Sequence, residues 1–235
     1  MTAALFLIGT VLLAALVLAA SHRYLPAGMA RWVAVGLPLW LLYVGLLSWT
    51  GTIADQALRP PGAVYIVVPV LLFVALFAVR SSRGAQVAAS LPLGLLIGGQ
   101  VFRLAVELGL HRLWTEGLVP RLMTYEGGNV DIIIGLTAPI AAWFATRGST
   151  GRRLALGWNA LGLLALVNII ARAALTAPGP LHLIHSEVPN LAIGTFPYTY
   201  IAGFFAPLAI LLHVLSIRRL LALRSNPRPR LGSAA

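Results

Sequence analysis

The sequence predicts an all-α, polytopic transmembrane helix bundle of about seven spans, with the N-terminus outside the cell and the C-terminus in the cytoplasm. Three observations carry this. The 235-residue chain is 59% hydrophobic and only 10% charged, with a mean hydropathy of +0.90, whereas a soluble domain carries about 25% charged residues. Too little polar surface is left to cover a water-soluble globule, so lipid must be the solvent for most of the chain. Apolar runs long enough to cross ~30 Å of hydrocarbon recur along the sequence, and the arginines alternate between the segments that separate them.

The first run, Ala3–Ala20, has no positive charge before it, while Arg23 and Arg31 follow. That arrangement favours a retained helix with its N-terminus outside over a cleaved secretory signal. The next runs are Trp32–Trp49, Ala63–Val79, about Val87–Trp114, Asp131–Thr146, Leu154–Leu175 and Tyr198–Ile217. None alternates with period two, so helices rather than barrel strands satisfy the backbone in lipid. Pro38, Pro69, Pro92, Pro139 and Pro207 fall inside these runs, where proline predicts kinks rather than ends. Residues 1–217 form one membrane domain in this reading, and 218–235 a basic cytoplasmic tail without regular structure.

Orientation follows from the positive-inside rule. The segments after the first, third and fifth runs hold Arg23 and Arg31, then Arg80 and Arg83, then Arg147, Arg152 and Arg153; the tail adds Arg218, Arg219, Arg224, Arg228 and Arg230. All six acidic residues, Asp55, Glu107, Glu116, Glu126, Asp131 and Glu187, fall on the opposite side or within a run. Such a distribution is that of membrane topology, so the first partner is the bilayer and the net charge of +11 is no nucleic-acid signal. No basic face with interleaved aromatics points to nucleic acid.

Several chemistries are excluded or disfavoured by composition. There is no cysteine, hence no disulfide, thiolate ligand or cysteine nucleophile. Lysine is also absent, which rules out a retinal Schiff base. A b-type haem is disfavoured, because the sequence places His111 near the outer surface and His213 near the cytoplasmic end of the last run, and axial histidines must share one depth.

The fourth run holds the main site candidate. Gln100, Arg103, Glu107 and His111 stand at offsets 0, 3, 7 and 11, within an arc of roughly 80° on one helix face. An ionised group at the bilayer centre costs ~2.5 kcal/mol or more unless paired or hydrated. Arg103 and Glu107, one turn apart, are expected to pair, and the stripe to face the bundle interior as the wall of a polar pocket or ion path opening outward. The plainer alternative is an Arg–Glu pair that only fixes helix packing.

The loop 123–131 continues this candidate face with Glu126, Asn129 and Asp131. Gly127 and Gly128 permit a tight turn, and Asp131 suits a helix N-terminus on dipole grounds alone. In a later loop, His182, His185 and Glu187 have the residue types of a divalent-metal site, although a solvated histidine-rich loop looks the same. Asn159, Asn168 and Arg172 on the sixth run are expected to hydrogen-bond between helices or snorkel.

The stretch Pro120–Pro139, with its core Met123-Thr124-Tyr125-Glu126-Gly127-x-Asn129-x-Asp131, resembles a family of uncharacterised bacterial multi-pass inner-membrane proteins. The likeness continues through Gly157-Trp158-Asn159, Asn168, Phe196-Pro197-Tyr198 and Leu212-His213. It implies a bacterial inner-membrane protein and transfers no mechanism.

Three functions are compatible with this reading. The first is a binder of a small molecule, lipid or ion, acting in transport or sensing. The second is an intramembrane enzyme on a lipid-borne substrate, with His111, Glu107 and Asp131 as acid–base groups. The third is a noncatalytic subunit whose polar face a partner covers.

Overall fold

The structure, a computed structural model, describes residues 2–179 and 181–225. Helices α1 (Thr2–Tyr24) and α2 (Ala27–Trp49) form an antiparallel pair joined by a short turn at Leu25-Pro26. Helix α3 (Val64–Leu72) runs on as a π-helical stretch to Arg80, and α4 (Ser82–Ser90) follows at a 77° bend. Helix α5 (Leu93–Gly98) passes through a 3-10 turn into α6 (Phe102–Thr115). Helices α7 (Asp131–Ala145) and α8 (Gly148–Thr176) come next. A π turn at Ile201–Phe205 leads into α9 (Ala206–Ser225).

No strand occurs among the described residues. Five helical stretches are long and apolar enough to cross a membrane: Ala3–Tyr24, Ala27–Trp49, Leu93–Thr115, Gly148–Thr176 and Ile201–Arg224. Counting the bent α3–α4 pair as one span makes six, and α7, at 15 residues, is a shorter apolar helix.

Two boundaries differ from expectation. Pro92 does not kink a long helix but starts a new one: Leu91 is extended (φ −77°, ψ 135°), and α5 begins after the proline. The clash of a proline ring with the preceding residue's helical conformation explains the break, and residues 87–90 belong to α4 instead. The last helix also continues past Ile217 to Ser225. Arg218 and Arg219 are therefore helical rather than part of an irregular tail, and residues 226–235 lie outside the described residues.

The sharp turn between α3 and α4 has a local cause. Ser81 leaves the helix (φ −78°, ψ 149°), its Oγ accepting from the Gly84 amide at 2.9 Å and donating to the Phe77 carbonyl at 2.7 Å. Arg218 Nη1 then donates to the carbonyls of Ala78 (2.6 Å) and Ser81 (3.1 Å), and Arg219 to that of Ala88 (3.0 Å). The Ala78 and Ala88 carbonyls lie in the last turns of their helices, where cationic donors stabilise them by hydrogen bonding and by the helix dipole, while the Ser81 carbonyl also accepts from the Ala85 amide at 3.2 Å. Arg218→Ala is expected to cost about 1–2 kcal/mol. The check is the unfolding midpoint in detergent together with proteolysis at the α3–α4 corner, which should become cleavable in the variant.

Helices α5–α9 make the centre. α7 packs on α5, α6 and α8, and α9 packs on α4, α5 and α8. α1 and α2 lie outermost, with only 11% and 17% of their apolar windows buried against 33% or more in the three other long stretches. α2 approaches the start of the last helix closely, where Gly203 leaves room for Val44 and Ser48 Oγ lies 2.7 Å from Thr199 Oγ1.

Two apolar layers bracket the middle. Leu110, Leu113, Met123, Leu166, Ile169 and Ala209 fill one end, and Leu93, Ile97, Ala141, Ala155 and Leu220 the other. The polar residues of interest lie between them, while exposed Val101, Ala105 and Leu108 point α6 outward.

Candidate functional site

Three of the four residues on the fourth-run stripe are withdrawn from solvent: Gln100 is 0% exposed, Arg103 2% and Glu107 1%. This face is turned to α7, α9 and the loop before α7, and the other face of the helix is apolar. Arg103 does not pair along its own helix with Glu107. It pairs across to Asp131 at the start of α7, with Nη2 on Oδ1, and its Nη1 lies 3.1 Å from His213 Nε2 on α9. A guanidinium can reach two helices at once with its forked donors, which intrahelical spacing alone does not reveal.

Glu107 is held by the loop instead. Asn129 Nδ2 donates to Glu107 Oε1 and also reaches the Met123 carbonyl at 3.4 Å, while Asn129 Oδ1 accepts from the Asp131 amide at 3.3 Å. Asn129 thus holds the Glu107 carboxyl with its amide nitrogen and the Asp131 backbone with its oxygen. Gly128 adopts the left-handed conformation (φ +87°) that this turn demands, and a Cβ at Gly127 would overlap the Arg121–Leu122 backbone. Arg172 Nη1 secures the loop from α8, donating to the carbonyls of Leu122 (2.9 Å) and Gly127 (2.8 Å).

Two members of the cluster were not candidate site residues in the sequence: His213 was weighed only as a haem ligand, and Asn159 was expected to hydrogen-bond between helices, as it does to His213. His213, 0% exposed, lies near the middle of the helix that ends at Ser225, not near the end of a span, because the last helix runs farther than the apolar run. Asn159, also 0% exposed, accepts from it: His213 Nδ1 lies 2.8 Å from Asn159 Oδ1. The donor pattern sets the tautomer. Guanidinium nitrogens only donate, so His213 Nε2 is the acceptor, Nδ1 carries the proton, and the imidazole is neutral. Asn159 Nδ2 closes the chain on the Ala155 carbonyl at 2.7 Å. The Leu212-His213 and Trp158-Asn159 pairs in the sequence were the available signals: a histidine and an asparagine inside apolar runs.

With both carboxyls ionised, the buried charges do not balance. One guanidinium faces two carboxylates, and the histidine is an acceptor. Glu107 Oε2, Gln100 Oε1 and Arg103 Nε are buried with no hydrogen-bond partner among the described residues. Gln100 is anchored by Nε2 to the Ala209 carbonyl at 2.9 Å, which leaves its oxygen as a free acceptor.

The rest of the predicted face sits apart. His111 is partly exposed, stacks on Tyr125 with ring centroids 4.9 Å apart, and has Nδ1 3.6 Å from Glu126 Oε1, longer than a hydrogen bond. Glu126 also lies 3.9 Å from Arg121. These residues form the loop surface above the cluster.

The histidine loop does not assemble the suggested ligand set. His182 and His185 are in edge contact (4.8 Å between centroids), but His182 Nδ1 faces the Ala177 carbonyl at 3.1 Å, and Glu187 Oε1 accepts from the Arg121 amide at 2.6 Å. No group of three His, Asp or Glu residues able to hold a metal ion occurs among the described residues. Glu187 ties this loop to the 116–130 loop, which accounts for its place.

Fold and cluster together define an all-helical protein with apolar helices suited to a membrane and a charged core between them. The chain belongs to the family described as Domain of unknown function (DUF8737), which matches residues 60–221. The match begins just before α3 and contains every member of the cluster, from Gln100 to His213, while α1 and α2 precede it. No curated protein and no solved structure matches the chain.

Proposed function

We propose that this is a seven-span inner-membrane protein, N-terminus out and C-terminus in, that binds a proton or small cation at the Arg103–Glu107–Asp131–His213 cluster in transport or sensing. Seven spans follow if the bent α3–α4 pair and the short α7 each cross alongside the five long stretches. The arginine distribution supports the orientation. A reporter fused at the C-terminus and another within residues 51–62 should report opposite sides; a periplasmic C-terminus would overturn the topology.

The observation that carries the binding role is the charge imbalance. A second carboxylate beside a single guanidinium, in surroundings where an ionised group is costly, needs one more positive charge. Glu107 Oε2 and Gln100 Oε1 are the buried acceptors left to receive it. The loop bearing Asn129 controls Glu107, so its movement is the natural route for the ligand from the 116–130 side.

The test is infrared spectroscopy of the purified protein, with sodium and potassium titrated calorimetrically in parallel. A protonated-carboxyl band that vanishes in Glu107→Gln supports proton binding. Saturable heat from either cation that vanishes in the same variant supports cation binding. A folded protein showing neither signal would sink the proposal and leave the cluster a packing element.

A further inference from the structure

A groove of about 450 Å³ runs between α7 and α8 on the outside of the bundle, separate from the buried cluster. Ile133, Leu161 and Leu164 wall it and are 54%, 61% and 64% exposed, so it opens sideways to where hydrocarbon would lie. One end is polar, formed by Gly128, Asn168 and Arg172.

Arg172 is spent only in part. Nε is bonded to Asn168 Oδ1 at 3.1 Å and Nη1 to the two loop carbonyls, but Nη2 has no hydrogen-bond partner among the described residues. No carboxylate among the described residues lies within ion-pair distance of Arg172 either. Nη2 sits at the groove's mouth, where a Cβ on Gly128 would be only 3.7 Å from it.

An arginine at a lipid-facing groove without a counter-ion is costly unless something anionic joins it. Helix α7 makes that meeting easier. Its 15 residues span ~22 Å, less than the ~30 Å hydrocarbon core, and such mismatch draws headgroups inward beside the short helix.

We infer that this groove binds an anionic phospholipid, its phosphate on Arg172 Nη2 and Asn168 and one acyl chain along Ile133, Leu161 and Leu164. The volume suits a chain segment rather than a whole lipid, within the ~300–1,000 Å³ typical of ligand sites. The charge and the lateral opening select a membrane lipid over a soluble anion. Because α7 also carries Asp131, the lipid braces the helix that presents half of the buried ion pair.

The test is native mass spectrometry of the full chain in neutral detergent, with phosphatidylglycerol and phosphatidylcholine of identical chains. One retained phosphatidylglycerol per chain, bound more tightly than phosphatidylcholine, is expected. Arg172→Gln should weaken it about tenfold, the worth of one charge-assisted hydrogen bond. Arg172→Gln also loosens the loop clamp, so Leu161→Trp, which fills the groove and leaves the clamp intact, must weaken retention as well. Equal retention of both lipids, or undiminished phosphatidylglycerol in either variant, would overturn the assignment. So would displacement by inorganic phosphate at matching concentration, or a lipid-free dimer that Leu161→Trp splits.

Discussion

Arg103→Met is expected to be the most damaging single change at the centre of this protein, lowering stability by about 3–5 kcal/mol because Asp131 is left as a buried charge without its cation. The same substitution removes the donor to His213 Nε2, freeing the imidazole on α9 as well. Combining Arg103→Met with Asp131→Leu should recover most of the loss, since replacing both partners removes the desolvation cost along with the attraction. The measurement is the unfolding midpoint of the detergent-purified variants. A single variant as stable as the double would mean that the ion pair contributes nothing and Asp131 is solvated another way. The proposed ligand binding separates from this effect: Glu107→Gln keeps the Arg103–Asp131 pair and should change binding with little change in midpoint.

Gly162→Ala should come second, at about 3 kcal/mol, from overpacking and from displaced polar partners together. A Cβ at position 162 would overlap the His213 ring, which is 0% exposed and touches Trp158 as well, with centroids 5.4 Å apart. The imidazole can yield only by leaving Arg103 and Asn159, or α8 must move away from α9. Gly157→Ala on the same helix is the control, because nothing lies within 4 Å of a Cβ there. It should be neutral or stabilising by up to about 1 kcal/mol through helix propensity. If both alanines behave alike, the close α8–α9 approach at His213 is not what holds these helices together.

Part of this site could be read from residue spacing alone. Gln100, Arg103 and Glu107 share one face at helical offsets, and burial of that face follows from lipid rejecting charge. The Gly127-Gly128 pair announced the turn that delivers Asn129 and Asp131 to the helix. Pairing was less legible. Arg103 and Glu107 stand one turn apart and suggest each other as partners, yet Arg103 reaches Asp131 and Glu107 reaches Asn129. The choice depends on where the start of α7 sits against α6, a distance that no spacing within one helix encodes. His213 was displaced in the reading for a related reason: the apolar run stops at Ile217, but Arg218 and Arg219 extend the helix by finding carbonyls at the α3–α4 corner.

Composition alone carries the helical class and the chemical repertoire. The apolar runs call for helices suited to a membrane, and the lack of cysteine and lysine removes whole classes of chemistry. Which charges meet emerges only when the helices pack. Packing joins α6, α7, α8 and α9 through Arg103, Asp131, Asn159 and His213, leaves Glu107 bonded to Asn129 rather than to a cationic side chain, and keeps His182, His185 and Glu187 from forming a ligand set. The difference is one of range. Helix formation and membrane partition are set by each run's own composition, whereas pairing of buried polar groups is set by the register of one helix against another, to within the length of a hydrogen bond.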